Sequence, residues 1–187
     1  MPAKDYHLHK FHIISGTETI VEEIIRVCKS MNNDEFFYRK DGKWSPAENT
    51  EHLRLVFKKS WQGLFVPKFI SKRIFGKPVH SSIPYEHLEE KYQHQLNNGA
   101  KATKEYIPIL KANKLTKEEI VERFEKAVTK YLDEVRYYWE EENIDRYQFP
   151  HPILGKITAR ELMYFNIFHC WHHFRTLRSL KGLGIEL

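Results

Sequence analysis

A hydroxyl residue followed three places later by glutamate and then by apolar residues at helical spacing recurs along this chain. Four such patterns are read as helix starts: Ser15-x-x-Glu18, Ser45-x-x-Glu48, Thr116-x-x-Glu119 and Thr158-x-x-Glu161. In such a capping box the hydroxyl accepts from the backbone N–H three residues on, and the glutamate accepts from the backbone N–H of the cap. Each box therefore predicts a helix start. Pro46, directly after Ser45, suits the first helical position. The stripes that follow agree with the boxes. Val21, Ile24, Cys28 and Met31 line a first helix, and Leu53, Val56, Phe57 and Ser60 a second. Ile120, Phe124, Ala127, Tyr131, Val135 and Tyr138 line a third that runs to about Glu142. Leu162, Phe165, His169, Thr176 and Leu180, with His173 among them, line a fourth, which Gly182 and Gly184 end. With no convincing alternating strand run, the natural architecture is an all-α four-helix bundle.

Between Trp61 and Leu115 the pattern is irregular. Pro67, Gly76-Lys77-Pro78 and Pro84 interrupt it, Tyr85 to Asn97 forms a short helix, and Asn97-Asn98-Gly99 turns. So long a connection can carry the second helix to a third that is not its simple antiparallel neighbour. A chain of 187 residues forms one well-cored domain, 1–187, rather than two. No apolar run approaches the roughly 18 residues of a membrane span, and the N-terminus lacks the apolar core of a signal peptide. Two cysteines, Cys28 and Cys170, imply no disulfide framework, so a cytoplasmic location is expected. A net charge of +5 does not establish nucleic-acid binding. The eleven histidines stand out more.

His169 and His173, in Phe168-His169-Cys170-Trp171-His172-His173-Phe174, are an i, i+4 pair on the fourth helix. Both imidazoles can then reach one divalent ion. The other reading is a pair of hydrogen-bonded core histidines, and the spacing alone does not separate the two. Cys170 stands where a zincin would carry its glutamate, so that general base is absent; its side chain points roughly 100° away around the helix, as a buried structural thiol would. His172 points away from the pair, to a neighbour or to solvent. His7, His9 and His12 fit no common metal spacing and read as structural or surface residues. His52, two turns into the second helix, reads by itself as structural.

A resemblance changes that reading. Trp44-Ser45-Pro46-Ala47-Glu48-Asn49-Thr50-Glu51-His52-Leu53 resembles the W-[ST]-x-x-[EQ]-x-x-x-H-[LI] element of the DinB/YfiT-like family. His151-Pro152-Ile153-Leu154-Gly155-Lys156-Ile157-Thr158-Ala159-Arg160-Glu161-Leu162 resembles its H-P-x-[LF]-G run, and His169-x-x-x-His173 its terminal H-x-x-x-H. The resemblance implies a four-helix bundle whose helix order departs from plain up-down. It also implies one divalent metal ion, zinc or nickel, on His52, His169 and His173. Members of known activity include transferases and isomerases that use low-molecular-weight thiols. Where many relatives carry glutamine three residues after the last ligand, this chain has Thr176, too short to span the same distance. A metal with an open position can lower the pKa of a thiol or of water, so an S-transferase and a metal-dependent hydrolase are both open. Asn49 and Asn166 are candidates to receive the second ring N–H of a ligand histidine, against the plainer reading of ordinary polar helix positions.

The basic, aromatic segment 68–77 is expected to pack its Ile and Phe on the bundle, with its lysines solvated. Attachment to a membrane surface or nucleic acid, and a flap over the metal pocket, are the competing readings. Neither nucleic acid nor membrane is the expected partner; a small-molecule substrate, with a low-molecular-weight thiol, is. Phe36, Phe37, Tyr38, Trp61, Phe65, Tyr137 and Trp139 belong either to the core or to a homodimer interface. A non-catalytic ligand-binding or structural protein is the rival to the enzyme.

Overall fold

The computed structural model describes residues 7–110 and 114–182. Three of the four predicted boxes close as expected. Ser45, Thr116 and Thr158 accept from Glu48, Glu119 and Glu161 N–H groups, with the reciprocal glutamate bonds in place. They open α3 (Pro46–Phe65), α6 (Lys117–Tyr138) and α7 (Ala159–Leu180). The fourth box is a correction: Ser15 lies inside α1 (Lys10–Ser30), whose cap is His9. The apolar stripe continues backward through Ile13 and Ile14, both buried. Glu141, distant in sequence, accepts from Lys10 N at 2.7 Å and serves the helix end that a local glutamate would have served. A box with asparagine as cap, Asn32-x-x-Glu35, opens the short α2 (Asn33–Phe37).

The bundle consists of α1, α3, α6 and α7. Both α1 and α3 pack against α6 and α7, so the first two long helices face each other across the core. There Cys28 Sγ lies 3.4 Å from Thr50 Oγ1. This is the departure from up-down order that the resemblance implied. The connection between α3 and α6 is less irregular than its prolines suggest, holding α4 (Lys68–Phe75) and α5 (Tyr85–Asn97). The latter packs on α7.

To the helical bundle the structure adds one small hairpin. Strands β1 (Gln148–His151) and β2 (Gly155–Thr158) pair antiparallel, with His151 opposite Gly155. At four residues each, they are too short to show a period; Gly155, at φ +79°, lets the chain reverse. The third helix ends at Tyr138 rather than near Glu142, and Tyr138 itself is exposed. Gly184 lies outside the described residues, and α7 ends at Leu180.

Segment 68–77 also departs from expectation. Phe69 and Ile74 are exposed, and Phe75 alone of its aromatics packs against the core. Its lysines cover rings instead, Lys68 over Trp139 and Lys72 over Tyr147. Of the unassigned aromatics, Phe36 and Trp139 are fully buried, whereas Phe37, Tyr38, Phe65 and Tyr137 are exposed. Among the described residues, no helix is long and apolar enough to cross a membrane.

Candidate metal centre

The box at Ser45 fixes the first turn of α3, and Arg39 adds a bidentate ion pair to the Glu48 carboxylate that closes it. Two turns on, His52 enters the core facing α7. His169 and His173 meet it there, so one nitrogen of each ring lies within 4.8 Å of the others. The three rings are 4%, 5% and 6% exposed.

Partners of the rings decide which nitrogens face the centre. His52 Nδ1 lies 2.7 Å from the carbonyl of Tyr106. A carbonyl only accepts, so this nitrogen carries the proton. His173 Nδ1 lies 2.8 Å from Asn49 Oδ1. The Asn49 Nδ2 donates to the Trp44 and Ser45 carbonyls at 3.1 and 2.9 Å, which fixes the amide so that its oxygen faces the ring. His169 Nδ1 lies 2.9 Å from the Tyr92 hydroxyl, which can donate or accept and so serves either tautomer. Every Nδ1 is therefore engaged outward and every Nε2 is turned to the centre, where those of His52 and His169 are hydrogen-bonded at 2.9 Å. Because His52 Nε2 is bare, His169 Nε2 donates and its Nδ1 accepts from Tyr92.

Burial holds the three imidazoles neutral. Desolvation pushes His52 below the ordinary histidine range, and His169 and His173 well below it, with the neighbouring histidines adding to the effect. A neutral ring is the form that ligates a metal.

Of the two asparagines singled out, Asn49 meets a ring. Asn166 instead accepts from Ser60 Oγ at 3.2 Å. The sequence reading missed Tyr92 and the Tyr106 carbonyl. Leu88 and Tyr92 are four apart on α5 and mark its buried face, but nothing local says what the hydroxyl meets. Cys170 is buried and desolvation raises its pKa, as a structural thiol requires. His172 does not leave the site: half-buried, it lines the same cavity as the triad. His9 caps α1, and His7 and His12 are exposed.

The triad opens on a cavity of about 440 Å³ walled by Trp44, Val56, Leu96, Ile107, Ile153 and Phe165 among others. Lys101, Ala102, Thr103, Tyr106 and Ile107 line it, and among the described lining residues none comes from segment 68–77, so the flap reading of that segment is set aside. Among the described residues lining the cavity there is no carboxylate, and Lys101 carries the one permanent charge.

A family profile described as the DinB superfamily matches residues 17–177. Among solved structures, the crystal structure of TT2238, a four-helix bundle protein, aligns with a TM-score of 0.58 at 16% identity. The match covers 91% of this chain and 98% of that one, and shows the fold alone. No curated protein matches the sequence.

Proposed function

The chain belongs to the DinB superfamily, and on that footing we propose that it is a metal-dependent enzyme acting on a small molecule with a low-molecular-weight thiol. His52, His169 and His173 hold one divalent ion, zinc or nickel, through Nε2. The observation that carries this reading is the outward engagement of all three Nδ1 atoms. Ligand histidines have their second nitrogen tied in this way, which orients the ring and fixes its tautomer. Three neutral nitrogens with a further position open suit a catalytic rather than a closed structural site.

A divalent ion held there lowers the pKa of a bound thiol or water toward neutrality. The remaining work falls to the chain. The apolar walls exclude water and hold the apolar part of a substrate. Asn49, Tyr92 and the Tyr106 carbonyl keep the three rings from turning. Among the described residues lining the cavity there is no Asp or Glu to take a proton from water, and this favours the thiol over hydrolysis.

Elemental analysis of the purified, tag-free protein beside His52→Ala and His173→Ala tests the site. About one equivalent of zinc or nickel in wild type, lost in both folded variants, is expected. No metal after reconstitution, or full metal in both variants, would overturn it. Cobalt-substituted protein tests the chemistry. Its visible spectrum should change on adding a small thiol; an unchanged spectrum favours the non-catalytic binding protein.

A further inference from the structure

We propose that His151 is a ligand-binding residue whose Nε2–H donates a hydrogen bond to a carboxylate or carbonyl oxygen of the small apolar molecule entering the cavity. The proposal rests on reading that cavity as the substrate site. It does not require a metal.

His151 ends β1, opposite Gly155. The turn between them aims two backbone N–H groups, of Ile153 at 3.3 Å and Leu154 at 3.1 Å, at His151 Nδ1. Two donors require a lone pair, so Nδ1 is the bare nitrogen and Nε2 carries the proton. That Nε2 has no hydrogen-bond partner among the described residues, although the residue is only 8% exposed. The ring lies edge-on to Phe165, centroids 4.2 Å apart, and Phe165 stacks on His169 at 4.7 Å. His151 thus stands one ring away from the triad, on the wall of the same cavity. Burial pushes its pKa down to about 4, so near neutral pH it remains an uncharged N–H donor.

This Nε2 is not one of the fully enclosed polar atoms, so it reaches open space, and a donor there without a protein partner is free for an acceptor supplied from elsewhere. The rest of the lining fits such a ligand. Lys101 is cationic, no carboxylate competes among the described lining residues, and the walls are mostly apolar. Together these describe a small apolar molecule bearing an acceptor oxygen. His151 also backs a second cavity of about 160 Å³, shared with Val56, Tyr106 and Phe165. A water held there is the competing acceptor.

Benzoate, an apolar ring with a carboxylate, is the probe. Its affinity is measured for wild type, His151→Phe and His151→Gln, each both zinc-loaded and metal-stripped. Imidazole ¹⁵N spectra of wild type should show the Nε2–H tautomer, with that resonance moving on addition of benzoate. His151→Phe should weaken benzoate by about tenfold or more. His151→Gln, whose amide N–H can replace the donor, should recover most of the loss. An Nδ1–H tautomer, a benzoate-insensitive resonance, an affinity in His151→Phe within about threefold of wild type, or no benzoate binding to wild type would each overturn the proposal. If His151→Phe does not fold, the wild-type spectra and His151→Gln carry the test. Zinc uptake by wild type is read separately. Its absence, with the dependence on His151 intact, would sink the metal reading alone.

Discussion

Replacing Asn49 by alanine removes the contact that orients His173 while leaving all three proposed ligands in place. The carboxamide acts at both ends. Its Oδ1 lies 2.8 Å from His173 Nδ1, and its Nδ2 bonds two carbonyls at the start of α3. Alanine leaves the buried Nδ1–H without an acceptor and removes one partner from each carbonyl. The Ser45 carbonyl keeps its helical bond from Asn49 N at 2.9 Å, so its loss is partial. An unsatisfied buried donor costs about 1–3 kcal/mol, and each of the ordinary bonds about 1 kcal/mol. The metal-free variant should therefore lose about 2–4 kcal/mol in denaturant titrations. Its zinc affinity, measured by competition with a chromogenic chelator, should fall about 10- to 100-fold, the usual effect of removing a ligand's outer partner. Asn166→Ala is the control. Its oxygen faces Ser60 rather than a ring, so it should cost stability and leave zinc affinity unchanged. Zinc affinity in Asn49→Ala within about threefold of wild type would refute the orienting role. An equal loss of zinc affinity in Asn166→Ala would show general loosening instead.

The pH dependence of the metal-free protein follows from the same buried rings. His52, His151, His169 and His173 all have folded pKa values below the ordinary 6.5. Below pH 6.5 the unfolded chain therefore binds more protons than the native one, and stability falls as pH falls from there. The slope is at most about 1.4 kcal/mol per pH unit for each ring. Glu89 and Glu134, raised by burial, oppose the loss near the carboxylate range. Denaturation midpoints at pH 7.5 and 5.5 check this, and a midpoint that does not fall would count against neutral buried rings. Arg160 donates to Asp145, Glu141 and the Leu8 carbonyl, joining the start of α1 to α7. Arg160→Met should cost about 3 kcal/mol, the low end for a broken buried pair, because both carboxylates keep some access to water. An unchanged melting temperature would show that these ion pairs contribute nothing.

The legible part of the fold was its local chemistry. Ser45, Thr116 and Thr158 open helices because a capping box is closed by groups three residues apart, whatever the rest of the chain does. The failure at Ser15 has the same root: the box sequence is present, but Ile13 and Ile14 gain more by burial in a longer helix. The hairpin and α4 were hidden because four-residue strands and an eight-residue helix carry little periodicity. At the site, the sequence brought forward the three histidines and Asn49. It offered Asn166 equally, although only one of the two asparagines meets a ring.

By itself, then, the sequence determined where most of the long helices begin, which faces they bury, and that His169 and His173 share one face. These follow from bonds and spacings that span only a few residues. Tertiary structure decided the rest. It set α1 and α3 across the core from each other, and brought Tyr92 and the Tyr106 carbonyl to the rings from 77 and 54 positions away. It also placed His151 on the cavity wall. A ring's tautomer and free edge depend on which groups the folded chain brings within about 3 Å of it. No local spacing encodes that distance.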